Sequence, residues 1–147
     1  MSNEDNHFQA LIRYRLEQAD QAISDADLLL NARRYRAAGN RLYYACFYSA
    51  TAALLTQRLQ YLKHSAVIGF FDKKLIKTGL LPKEYSRTLH LAFDERQEDD
   101  YKPFTEPDPD TLKGLHMRVT QMVTGIRNYV EEQIGKKGRN GGNGVKP

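Results

Sequence analysis

The chain has one cysteine, no tryptophan and no apolar run near the roughly 18 residues that a membrane-spanning helix needs. The lone Cys46 excludes an internal disulfide and a zinc site built on paired thiolates. Lying in an apolar run, it reads as a small core residue. The polar, acidic start from Met1 to Phe8 lacks the basic and apolar regions of a secretory signal, so the expected location is the cytoplasm, with no membrane contact. Histidine is scarce as well. His7, His64, His90 and His116 show no metal-ligand spacing, and no Gly-rich phosphate loop, His-Glu-x-x-His motif or nucleophile elbow is present. No metal and no cofactor are expected. Strand-like alternation and internal repeats are also missing.

What is present suits one helical domain. A length of 147 residues with 41% hydrophobic and 27% charged residues can bury a core of ordinary size. The net charge of +4 does not make the body basic. Lys136, Lys137, Arg139 and Lys146 place the same excess in residues 135–147, which hold no acid, so residues 1–134 sum to zero. Attraction to nucleic acid has to come from local clustering or from the tail.

Apolar spacing predicts the elements. Ile12, Leu16, Ala19, Ile23, Ala26 and Leu30 alternate steps of four and three, which makes an amphipathic helix over about Asp5–Asn31. After a tight turn near Arg33, a second helix is expected over Tyr35–Leu62. Its middle, Leu42 to Leu55, is apolar nearly all round, as befits the central element of a bundle. Ser65 is placed to cap a short third helix, Ala66–Lys77, and Gly79 to end it. Pro82 suits the first turn of a fourth helix reaching about Asp100. Pro103, Pro107 and Pro109 make a linker, and Asp108 caps a last helix through Leu112, Leu115, Val119, Met122, Ile126 and Tyr129. The expected fold is all-α: an antiparallel four-helix bundle with an additional short helix over residues 1–134, then a disordered basic Gly-rich tail over 135–147.

Polar residues interrupt two of these stripes. On the fourth helix Tyr85, Leu89 and Ala92 lead to Arg96, with Asp100 one turn later and Tyr101 beside it. On the second, Asn40, Arg41, Tyr44 and Tyr48 break an apolar surface, and a buried arginine needs a partner. Antiparallel packing of these helices brings Asn40, Arg41, Tyr44, Arg96, Asp100 and Tyr101 together. Two readings fit: helix-end ion pairs, or an anion site in which paired guanidinium forks hold phosphate. His64 follows Arg41 by 23 residues, about 34 Å along a continuous helix. It is therefore expected far from Arg96, as a loop contact.

AGNRLYYACFYSATAALL (Ala38–Leu55), HSAVIGFFDKKLIKTGLLPKEY (His64–Tyr85) and ERQEDDY (Glu95–Tyr101) together resemble one branch of the HEPN superfamily. Its short stand-alone members show Asn-Arg-x-Tyr-Tyr-Ala, His-x-x-Val-Ile, Lys-Thr-Gly and Arg-Gln-x-x-Asp-Tyr in that order. The resemblance implies a helical bundle that commonly dimerises. It also implies a component of a toxin–antitoxin or nucleotidyltransferase-linked defence system, with a minimal nucleotidyltransferase antitoxin as partner and RNA cleavage without metal. In the usual signature, Arg is followed after four to six residues by His. Here Arg96 matches the arginine, but Tyr101, Lys102 and Pro103 occupy the histidine positions. The implied catalytic set is Arg96, Asp100 and Tyr101, with Arg41, Asn40 and Tyr44 binding phosphate or RNA. Two other expectations stand beside it: a non-catalytic homodimeric module that docks a nucleotidyltransferase, and a small-ligand binder using the aromatic cleft.

The tail yields a first prediction. Apart from Val145 it has no apolar residue, and its glycines are costly to order. Truncation after Ile134 should leave the thermal midpoint nearly unchanged in a calorimetric scan. A drop of many degrees would show that the tail packs on the body.

Overall fold

The computed structural model describes residues 2–60, 62–101 and 106–142, with side chains for all of these except 97–101 and 137–142. It is all-α: α1 (Asn3–Asn31), α2 (Tyr35–Leu55), α3 (His64–Phe71), α4 (Lys83–Tyr101) and α5 (Pro109–Gly142). Ser2 starts α1 by accepting the Asp5 amide at 3.0 Å. Arg33 ends it in the left-handed region at φ 60°, where the Arg34 amide bonds back to the Leu29 carbonyl at 2.8 Å. Phe8, Ile12, Leu16, Ala19, Ala22 and Ala26 form its buried face.

Helix α2 is buried on most sides. Ala38, Ala45, Ala50, Ala52 and Ala53 are fully covered, as are Leu42 and Leu54. The alanines let neighbouring backbones approach, and each buried leucine contributes about 1.5–3 kcal/mol of burial free energy. Cys46 lies among them as expected, and burial pushes its thiol pKa up, away from thiolate chemistry.

Helix α2 stops at Leu55, well short of the expected Leu62. The Thr56 hydroxyl donates to the Ala53 carbonyl at 2.6 Å, and Arg58 adopts φ 64°, a conformation that no helix interior accepts. The Arg58 side chain offsets this local cost. Its guanidinium lies 4.3 Å from the Phe8 ring centroid and pairs with the Asp5 carboxylate. The chain then folds back, and α3 starts at His64 with Lys63 as its cap, rather than at Ala66 behind Ser65.

Helix α3 also departs from expectation by widening into a π-helical turn over Asp72–Ile76. The Ser86 hydroxyl and the His90 imidazole of α4 both bond the Asp72 carboxylate, each at 2.7 Å. Gly79, at φ 77°, closes the turn as its lack of a side chain allows. Asp108 caps α5 as expected, accepting the Thr111 amide at 3.0 Å. This helix continues past Ile134 to Gly142, so it crosses the expected boundary between body and tail.

Contacts fix the helix directions. Arg13–Glu131, Asp20–Arg127 and Asp27–His116 run α1 antiparallel to α5. The Arg58–Asp5 pair likewise sets the end of α2 against the start of α1. Helix α2 is parallel to α5, with Gly39 against Leu112 near the starts and Leu55 beside Ile134 near the ends. Helix α4 is antiparallel to α5, because Tyr85 packs on Gly125 while Glu95 lies beside Thr111. Among the described residues no helix is long and apolar enough to cross a membrane.

The Tyr85–Gly125 contact generates a paired prediction. A methyl group on Gly125 would fall 1.7 Å from the Tyr85 hydroxyl oxygen, whereas one on Gly114 would meet nothing within 4 Å. Gly125→Ala gains about 1 kcal/mol of helix propensity and incurs about 1–3 kcal/mol of overpacking. Its thermal midpoint should fall. Gly114→Ala should raise it by the propensity term alone. Equal shifts in the two variants would show that Tyr85 does not pack on Gly125.

Candidate functional site

One patch gathers most of the residues that interrupt the apolar stripes. Its pivot is Tyr43, 1% exposed, which projects from α2 toward α4 and the start of α3. Its ring lies 5.3 Å from Tyr44 in an edge-on arrangement and 5.8 Å from Phe93 of α4. Its hydroxyl lies 3.5 Å from His64 Nδ1. One turn on, Phe47 stacks almost flat against the His64 imidazole, at 3.8 Å and 18° between planes. Tyr48 extends the aromatic surface 5.8 Å from Tyr44.

Two guanidinium groups lie over these rings. Arg96 is 4.9 Å from the Tyr43 centroid and 5.6 Å from that of Tyr44. Arg41 is 5.0 Å from the same Tyr44 ring and donates to the Asn40 side-chain oxygen at 3.4 Å. Each cation–π contact contributes about 0.5–2 kcal/mol, depending on desolvation. Helix α4 can place Arg96 here because Leu89 and Ala92, on the same face, are fully buried against the bundle. Among the described residues neither Arg41 nor Arg96 is paired with a carboxylate.

Of the residues singled out from sequence, the structure therefore brings Asn40, Arg41, Tyr44 and Arg96 together. Asp100 and Tyr101 belong to the last turn of α4, and their side chains lie outside the described residues. The placement of His64 corrects the expectation. The distance along a continuous helix assumed that α2 ran to Leu62, but the fold-back at Arg58 returns the chain to the middle of α2. His64 thus lies 5.9 Å from Tyr43 and 5.6 Å from Tyr44, the same two rings that hold Arg96. Phe47 belongs to the apolar middle of α2, and Phe93 of α4 carried no expectation. Both serve as walls of the patch.

The electrostatics follow from this packing. Burial, and then the Arg96 guanidinium, hold the His64 pKa below the usual histidine value, so the neutral imidazole is favoured. Burial raises the pKa of the Tyr43 hydroxyl, against the opposing pull of Arg96. The patch thus combines two fixed cations, a neutral imidazole open to solvent and aromatic faces. Such a set can hold an anion, stack a planar group and accept a proton. Among the described residues no cluster of three or more His, Cys, Asp or Glu is placed to hold a metal ion.

Comparison with known proteins places this architecture among relatives. The model of the HEPN domain family matches residues 12–132. A UPF0332 protein of Thermotoga maritima is 32% identical over 127 residues, covering 86% of this chain and 96% of its own. Two proteins of Methanocaldococcus jannaschii, both named provisionally as toxins, are also similar. One is 36% identical over 85% of each chain. The other is 35% identical over 82% of this chain and 90% of its own.

The electrostatic coupling across the patch can be measured. Arg96 disfavours the imidazolium, so its removal should shift the titration midpoint of His64 upward, toward about 6.5. Histidine proton resonances followed against pH in wild type and Arg96→Ala would report this directly. A midpoint that stays put or falls in the variant would mean that the two side chains do not face each other.

Proposed function

The chain belongs to the HEPN domain family, and on that premise we propose that it is a toxin-like component of a toxin–antitoxin or nucleotidyltransferase-linked system that cleaves RNA at the Arg41–Arg96–His64 patch. The observation that carries this reading is the shared placement of Arg96 and His64 over Tyr43 and Tyr44. A permanent cation and a neutral base on one surface are what transfer of a ribose 2′-hydroxyl proton beside a phosphate requires. The provisional toxin names of the two archaeal relatives support the toxin-like role.

In this reading each group has a part. For His64 to act as a base, its Nδ1–H donates to the Tyr43 hydroxyl oxygen, which leaves the Nε2 lone pair for the 2′-hydroxyl proton. The freed 2′-oxygen attacks the adjacent phosphorus, and the bond to the 5′-oxygen breaks. Arg96 and Arg41 offset the charge that accumulates on the phosphate oxygens. Solvent protonates the leaving 5′-oxygen, giving a 2′,3′-cyclic phosphate and a 5′-hydroxyl end. Asn40 orients Arg41 through their hydrogen bond.

A second reading draws on the same surface. Tyr44 and Tyr48 are half-buried beside two arginines, and tyrosine and arginine dominate the energetics of protein interfaces. In this reading the patch joins two copies or docks a nucleotidyltransferase and performs no chemistry.

Incubating a mixed RNA pool with purified protein and reading the ends of the fragments separates the two. Wild type should give cyclic-phosphate ends. Arg96→Ala should slow cleavage by about 100- to 1,000-fold, and His64→Ala by about 100- to 10,000-fold. Full activity in His64→Ala would remove its assignment as the base. A wild type that cleaves nothing, yet scatters light as a dimer, would favour the interaction reading.

A further inference from the structure

Beside the patch, α1, α2 and the fold-back segment enclose a cavity of about 320 Å³, within the size range of small-molecule sites. Leu11, Phe47, Thr51, Leu54, Leu62 and Val67 form most of its lining, and this part is aliphatic apart from one aromatic ring and one hydroxyl. That ring is the one against which His64 stacks. Leu62 and Val67 flank His64 closely in the chain. The cavity and the proposed base thus share a wall.

Three polar side chains also line this cavity, His7 and Arg15 from α1 and Gln60 from the fold-back segment. Arg15 donates through Nη1 to Gln18 at 2.6 Å, but its Nε is buried with no hydrogen-bond partner among the described residues. The Gln60 Oε1 atom is likewise buried and without a partner among the described residues. One is a donor and the other an acceptor. Buried polar groups are nearly always satisfied, so an unpaired donor and acceptor lining one apolar cavity need an account. Small rotations toward the cavity would give both a partner in any flat ligand with a donor and an acceptor along one edge.

We infer that this cavity receives a nucleobase of the RNA whose phosphate rests on Arg41 and Arg96. Every nucleobase has a planar apolar face and an edge bearing both a donor and an acceptor, and single-stranded RNA can turn its bases outward to be stacked and bonded in this way. Phe47 and the aliphatic walls cover the face. Gln60 accepts from the edge and Arg15 donates to it. The adjoining ribose then lies beside His64, and the phosphate beside the arginines. Arg15 and Gln60 are specificity-determining residues in this arrangement, and they take no part in the chemistry.

The inference rests on the RNA reading above, so its test includes a measurement that does not depend on cleavage. Calorimetric titration of the full chain with AMP, GMP, CMP, UMP and ribose 5-phosphate compares ligands that differ only in the base. At least one nucleotide should bind about 10- to 100-fold more tightly than ribose 5-phosphate, the range expected for one stacked base. Arg15→Met and Gln60→Leu, each keeping most of its side-chain volume, should reduce that advantage to what stacking on Phe47 supplies and leave the affinity for ribose 5-phosphate unchanged. Retained ribose 5-phosphate binding shows that each variant is folded. Equal binding of all five ligands, binding of none up to about 10 mM, or an advantage undiminished by both substitutions would overturn the inference. Absence of RNA cleavage by wild type would count against the proposed reaction alone, because the base preference is read separately.

Discussion

The whole arrangement depends on the burial of α2. Its alanines at 38, 45, 50, 52 and 53 are fully covered, which lets α1, α4 and α5 each approach the same helix. An isolated helix of this composition has no polar face on which to rest in water. Its stability is therefore a property of the bundle. The same burial decides where polar side chains can emerge. Where α2 borders the start of α3 and the end of α4, Arg41, Tyr44 and Tyr48 reach partial exposure, and there the patch forms.

Within the patch, Tyr43 links packing to charge. It is nearly inaccessible, yet it touches elements from three parts of the chain: Phe93 and Arg96 on α4, His64 on α3 and its own neighbours on α2. A cation resting on an aromatic face is held by the ring, and among the described residues no carboxylate cancels the charge of Arg96 toward a substrate. Arg96 therefore remains available to an incoming anion while being fixed in place. Burial holds the pKa of His64 down and the same charge adds to that effect, so one side chain contributes to both the anion site and the base.

Periodicity made the four long helices legible, because α1, α4 and α5 each have one apolar stripe and α2 is apolar nearly all round, although the ends of α2 and α5 were not. The convergence of Arg41 and Arg96 was legible too, since both interrupt stripes that antiparallel packing brings together. The site of His64 was not. It depends on Arg58 adopting φ 64°, which has no signature in a residue type that rarely does so. That conformation is held by a partner more than fifty positions earlier in the chain, Asp5. The π-helical turn at Asp72–Ile76 was hidden for a similar reason. Its carboxylate is shared by Ser86 and His90, a tertiary contact invisible in local spacing.

The ion pairs between α1 and α5 have a consequence apart from their strength. Arg13–Glu131 and Asp20–Arg127 are largely exposed, and pairs of that kind contribute about 0–1 kcal/mol each. Their order along the helices conveys more. If α5 were reversed against α1, Asp27 would come to face Glu131 and Arg13 would come to face His116, while Asp20 would keep Arg127. Two attractive contacts would become an acid against an acid and a cation against an imidazole. The ladder thus works as a polarity key, adding little to the depth of the native state while raising the energy of its mirror threading.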